Sequence, residues 1–380
     1  MPWIRSPWWD GLWFLSGFPL GLALMLISLF VGHHPIGGHR LALGIDPAII
    51  SIYLIVLFQM GHTLSPVMLA WSHSGLRSIM LRRPAKCILL PLLLLAVATL
   101  AGVVSAEEFP GLHFIDDATN RLIFANLFPR DGTLNVLTAP AWWVIVVYLL
   151  WNAYHFGMQN FGVMTIYRLR SGIEYPAVQR AIDKAFCLTV QTSIFLALPI
   201  AAFGGIAAVD IERIVHILLM VAAVFMLLRE AALTGRFASP RIVFALSHTF
   251  SLLLAPGLWG AVAINGANHW LSAIGLAAHA EGQHTKRPPM VFAAAIILIG
   301  FAVFWLLFWN GRFSWNFREM MSLSLTIVCF RLGVGFVHFL YDRWVWKLSD
   351  PQVRATISRD LLTQKEAPSP IGQIAQTGVA

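Results

Sequence analysis

Apolar runs of about 20 residues recur along the whole chain, each long enough to cross a bilayer as a helix. "CILLPLLLLAVATLAGVVSA" at 87–106 and "VFAAAIILIGFAVFWLLFW" at 291–309 are two of them. In hydrocarbon every backbone N–H and C=O must be paired internally, which leaves only helices and closed barrels. Barrel strands run about ten residues with alternating polarity, and these runs do neither. Composition agrees: 58% of the 380 residues are hydrophobic and 12% are charged, where a soluble domain carries roughly a quarter. The predicted fold class is all-α, a polytopic transmembrane helical bundle.

The hydropathy pattern predicts ten spans, at about 12–32, 47–71, 87–106, 140–166, 185–204, 213–228, 241–256, 258–281, 290–309 and 321–343. Pro256 and Gly257 leave spans seven and eight either as separate helices or as one broken pair. Basic residues concentrate in alternate loops, for example Arg77, Arg82, Arg83 and Lys86, then Arg168, Arg170, Arg180 and Lys184. By the positive-inside rule this puts both termini in the cytoplasm, with the chain integral to a bacterial inner membrane. The net charge of +8 is thereby explained by topology and implies no nucleic-acid partner. The start "MPWIRSPWWDG" leads into a full-length apolar run without a small-residue cleavage site, so no cleavable signal is expected. Residues 1–348 read as the bundle. Residues 349–380, ending "KEAPSPIGQIAQTGVA", read as a polar, disordered cytoplasmic tail.

Cys87, Cys187 and Cys329 all fall in predicted spans and form no CxxC, which argues against a disulfide framework or a zinc ribbon. No Walker loop, dinucleotide-binding glycine motif or nucleophile elbow is present. Polar residues inside the spans carry the chemical information instead. "WNAYHFGMQNFG" at 151–162 places Asn152, His155, Gln159 and Asn160 within a span, where such residues are costly and usually face a bundle interior. His62, His248, His269 and His338 also lie well inside spans, and His73 and His279 at span ends. With 1.5 Å of rise per residue, His62 lies roughly 13 Å, His155 and His269 roughly 18 Å, His248 roughly 10 Å and His338 roughly 8 Å from the inner surface. Histidines at similar depth on different helices suit one metal site in a bundle core, and imidazole suits iron, copper or zinc.

Helical spacing predicts partners on the same helix. Gln159 follows His155 by four residues, with Gly162 three further on that face to let another backbone approach. Gln59 precedes His62 by three, Asn265 precedes His269 by four, and Asp342 follows His338 by four. Metal-bound histidines need such partners to fix their tautomer. His248 and His279 stand as possible further ligands; the loop histidines of "GHHPIGGHR" read as non-ligands. Arg331, near mid-span and always charged, needs an anionic partner or helix-end carbonyls and is the candidate residue for a substrate or polar path. Haem between two histidines is the main metal alternative, though it leaves the others unexplained.

"HFGMQNF" at 155–161 resembles the HFGxxDF motif of the Brp/Blh family of membrane β-carotene 15,15′-dioxygenases. That resemblance implies a helical membrane protein that cleaves a carotenoid with a non-haem iron held by histidines. The family's motif order falls on "GHTLSP" at His62, "HFGMQNF" at His155, "NHWLSAIG" at His269 and "VHFLYD" at His338. The chain departs from it at Gln159 and Pro66, where the family has Asp, and "NHWLS" lacks a second histidine that His248 or His279 would have to supply. It also carries more spans than expected of that family. The reading is an Fe(II)-dependent membrane oxygenase with His62, His155, His269 and His338 as ligands and a lipophilic small-molecule substrate. A transporter or channel using the His, Arg and Asp residues as a path is the alternative. Oligomeric state has no signature in the sequence.

Overall fold

Helices make up every regular element among the residues described by the computed structural model: 3–20, 22–23, 47–108, 140–171, 177–203, 205–234, 240–254, 258–308 and 325–362. The later part of the first expected span, the "GHHPIGGHR" histidines, the long acidic loop with His113 and residues beyond 362 lie outside this set. A short α1 (Pro7–Asp10) continues into a π-helical turn, Gly11–Leu15. The long helices are α2 (Pro47–Ser72), α4 (Leu90–Glu108, entered through a π-turn at Ala85–Leu89), α5 (Pro140–Ser171), α6 (Ala177–Phe203), α7 (Gly205–Thr234), α9 (Leu258–Thr285), α10 (Pro289–Phe308) and α11 (Leu325–Val345). Shorter ones are α3 (Ser74–Leu81), α8 (Pro240–Leu254) and α12 (Pro351–Leu362).

Four helices close a ring: α2 packs on α9, α9 on α5, α5 on α11, and α11 on α2. They run parallel. Contacts between α2 and α11 advance together along both helices, from Gln59–Arg331 through Thr63–His338 to Trp71–Tyr341. Those between α5 and α11 do likewise, from Tyr148–Phe336 to His155–Asp342. The return helices lie outside the ring. α4 runs antiparallel to α11, joined where the Tyr341 hydroxyl donates to the Cys87 carbonyl at 2.8 Å and where Gly333 meets Leu95 and Ala98. α10 crosses α2 in backbone contact. A Cβ on Gly300 would sit 2.5 Å from the Gly61 nitrogen, so only glycine permits this crossing.

α8 and α9 are separate helices packed side by side, so the apolar stretch on either side of Pro256 and Gly257 forms two helices rather than one. The Asn268 amide donates to the Ser247 carbonyl at 3.5 Å across that contact. At the base of α6, α7 and α8 the buried Arg241 binds both Asp183, at 2.5 Å, and Glu230. At the N-terminus, Asp10 accepts the Ile4 and Arg5 backbone N–H groups at 2.8 and 3.1 Å, folding the first turn under the bundle.

Residues 351–362, expected to be a disordered tail, form a helix instead. α12 is ordered and packs on α3 and α9. Val353, Ile357 and Leu361, four residues apart, form a buried stripe. Asp350 caps the helix by accepting the Gln352 N–H at 3.0 Å, with Pro351 at the first helical position. The polar residues of this segment mask the stripe in the sequence.

Two stretches among the described residues, Ala85–Ser105 and Ile214–Ala232, are long and apolar enough to cross a membrane. Both turn large apolar side chains outward: Leu89, Leu92, Leu93, Val97 and Leu100 on the first, Leu218, Val221 and Phe225 on the second.

Candidate metal centre

Each helix of the parallel ring contributes one histidine to a point at its axis. His62 comes from α2, His155 from α5, His269 from α9 and His338 from α11, and none is more than 6% exposed. One ring nitrogen from each lies within 4.8 Å of those of the other three. His155 Nε2 is 3.2 Å from His269 Nε2 and 3.1 Å from His338 Nε2. Two nitrogens that bind one ion at 2.0–2.1 Å stand roughly 2.9–3.4 Å apart, depending on the angle between them. Parallel strands of bundle place equivalent turns at equal height, which is why histidines far apart in sequence arrive at one level.

The outer nitrogens settle the protons. His338 Nδ1 is 3.1 Å from the Thr63 carbonyl oxygen. A carbonyl only accepts, so that nitrogen carries a hydrogen and His338 Nε2 presents a lone pair. His155 Nδ1 faces the Asp342 carboxylate at 3.6 Å, which likewise favours a hydrogen there and a lone pair on Nε2. With the hydrogen of His155 on Nδ1, two lone pairs oppose each other at 3.1 Å. They repel unless a cation lies between them. Asp342 adds a second reason: it is 6% exposed, is held by the Trp346 indole N–H at 2.9 Å, and has no Lys or Arg partner among the described residues. A divalent ion would relieve both the lone-pair repulsion and the buried negative charge. The four buried histidines form a group able to hold a metal ion.

The shape of the group also narrows what fits. The four imidazoles contact one another directly, with ring centroids 4.2–6.1 Å apart. No slot for a porphyrin separates any pair, so a haem is a poor fit. Phe156 stacks on His269 with centroids 3.5 Å apart, and Phe339 lies 4.6 Å from His155, walling the rings with apolar surface.

The expected same-helix partners are not the actual ones. Gln159 donates to the His269 carbonyl at 3.1 Å and to Ser272 at 3.4 Å, so it braces α9 rather than the ring of His155. Asp342 faces His155, on another helix, and not His338. Asn265 pairs reciprocally with Gln191 of α6 at 2.8 and 3.0 Å, and Gln59 binds Arg331. Gly162 faces open space. Residues four apart on one helix point in nearly the same direction, so the second cannot easily reach the far nitrogen of the first; a neighbouring helix can. His248 is buried against Phe244, with centroids 4.4 Å apart, and His279 is buried further along α9. Neither belongs to the group of four. The Thr63 carbonyl was not foreseen, because a backbone acceptor leaves no mark on residue type.

A second group lies where α3, α9 and α12 meet: His73, His284 and Asp360. His73 caps α3 by accepting the Leu76 N–H on Nδ1 at 3.4 Å, which leaves Nε2 to donate to Asp360 at 3.0 Å. The ring of His284 stacks on that of His73 with centroids 3.7 Å apart, and its Nε2 is 3.0 Å from the Ser74 hydroxyl. Burial lowers the pKa of His284 below the ordinary imidazole value, reinforced by His73 and opposed by Asp360. Sequence spacing gives His73, at a span end, no partner, since 287 residues separate it from Asp360.

No protein-family model, curated protein or solved structure matches the chain.

Proposed function

We propose that the chain is a polytopic protein of a bacterial inner membrane, with about ten spans and both termini cytoplasmic, and that its four-histidine centre holds Fe(II) and oxygenates a lipophilic, carotenoid- or lipid-like substrate. The observation that carries the metal reading is the convergence of four buried imidazoles, with His155 Nε2 3.1 Å from His338 Nε2 and 3.2 Å from His269 Nε2, and with the His338 lone pair turned inward by the Thr63 carbonyl. The membrane reading is supported by the recurrent apolar runs and by the leucine-rich outer faces of α4 and α7. The choice of iron and of an oxygenase draws on the resemblance of "HFGMQNF" to the Brp/Blh motif and on an all-imidazole donor set without thiolate.

Bound iron would supply the electrons for dioxygen activation. The chain's own part is geometric. Asp342 and the Thr63 carbonyl hold His155 and His338 in the ligating tautomer, Gln159 and Ser272 fix the backbone beneath His269, and Phe156 and Phe339 keep water from the rings. A solute path through this level would have to displace four mutually touching rings, which favours a dead-ended site over the transporter alternative.

Detergent-purified protein, loaded anaerobically with Fe(II), should retain about one iron per chain and consume oxygen when given a polyene or unsaturated acyl substrate. Retention of zinc or copper with no oxygen uptake would keep the metal centre and remove the oxygenase. Absence of any bound transition metal under all loading conditions would remove both.

A further inference from the structure

A fixed positive charge stands on the same face of α11 as the ligand His338. Arg331 precedes His338 by seven residues, two helical turns, or roughly 10 Å along the axis. Its guanidinium is half-buried and donates to the Gln59 side-chain carbonyl, a neutral partner. No carboxylate among the described residues pairs with it. Gln59 in turn precedes His62 by three residues, so both members of this pair sit on the face of a ring helix that leads to the centre. An arginine cannot shed its proton to escape a low-dielectric site. It requires an anion, and partial exposure leaves it reachable.

Between the charge and the metal centre runs a packed series of aromatic side chains, with Phe336 and Phe339 buried and Tyr148 and Trp151 half-buried. Tyr148 lies over α11 at Gly335, where a Cβ would come 2.5 Å from its ring. Phe336 follows at 5.7 Å from Tyr148, Trp151 stands 5.6 Å from Phe336 and 5.8 Å from Phe339, and Phe339 touches His155 at 4.6 Å between centroids. A cation at one end of an aromatic wall and a metal-binding group at the other match a molecule with an anionic head and a hydrocarbon body. We infer that Arg331, oriented by Gln59, anchors the head of the substrate, which is a single-chain amphiphile bearing a carboxylate or a phosphate monoester. This rests on the reading of the four-histidine centre as the place of reaction.

The test is equilibrium binding of dodecanoate, dodecyl phosphate and dodecanol to detergent-purified full-length protein, read by tryptophan quenching, with metal content measured on the same samples. Both anions, or one of them, should bind saturably and at least about tenfold more tightly than dodecanol, as expected when a charged hydrogen bond is formed. The tighter anion identifies the head group. Arg331→Gln should erase the preference while leaving metal content unchanged. Gln59→Glu should erase it too, because an internal carboxylate then neutralises the guanidinium, and this variant should melt no lower than the wild type. Dodecanol binding as tightly as both anions in the wild type, or an anion preference that survives in Arg331→Gln, would overturn the anchor. If the preference depends on Arg331 but the wild type binds no metal, the anchor stands and the oxygenase reading falls.

Discussion

The two histidine clusters differ less in composition than in hydrogen-bond balance. At the junction of α3, α9 and α12 every proton has a place: His73 accepts a backbone N–H on one side and donates to Asp360 on the other, and His284 pairs with Ser74. That cluster is complete as protein. At the axis of the ring, the Thr63 carbonyl turns the inner lone pair of His338 toward His155, and the buried Asp342 carboxyl, 3.6 Å from His155 Nδ1, has no described cation to meet it. Proximity of ligand atoms is common to both groups. Unmet electrostatic demand belongs only to the second. The comparison teaches that a cation site is better recognised by where hydrogens must be than by how near the donor atoms lie.

The sharpest way to break this comparison is metal analysis of paired variants. His155→Ala should abolish metal binding, whereas His73→Ala should leave the stoichiometry at the wild-type value. Loss of metal from His73→Ala would make the peripheral cluster a second site and undo the distinction. A smaller effect is expected from Asp342→Asn, which keeps the shape but lets the amide present a donor to His155 Nδ1 and so favours the wrong tautomer. Metal affinity should fall about 10–100-fold in competition with a chelator. Unchanged affinity would mean the carboxylate does not govern His155.

The smallest effect concerns pH at the peripheral cluster. The pKa of His284 is lowered in the folded state, so the unfolded or undocked form binds its proton more readily. Docking of α12 should therefore weaken as pH falls below about 6.5, the unperturbed imidazole value. Limited proteolysis after Arg354 or Arg359 should speed up between pH 7.5 and 5.5 in the wild type, with less change in His284→Gln. Faster cleavage at high pH would reverse the assignment.

Much of the helical framework was legible in the sequence, because twenty-residue apolar runs bounded by basic loops leave little freedom. Depth along the helices singles out His62, His155, His248, His269 and His338 from among thirteen histidines, and the structure brings together all of these but His248. It worked because rise per residue is a local constant that survives folding. The partners were not legible. Spacing on one helix suggested Gln59 for His62 and Asp342 for His338, yet Gln59 binds Arg331 and Asp342 faces His155. Which helices become neighbours is a tertiary fact that periodicity does not contain. The order of α12 could have been found from Val353, Ile357 and Leu361, whose fourfold spacing was outweighed by the charges around them.

The ring has a consequence for biosynthesis. Its four donors enter in chain order at residues 62, 155, 269 and 338, and the last lies on the last long helix among the described residues. An unfinished polypeptide offers at most three imidazoles, and Asp342, which orders His155, emerges later still. A centre of four imidazoles is therefore complete only once α11 has been made, and a copy truncated before α11 would lack its fourth donor.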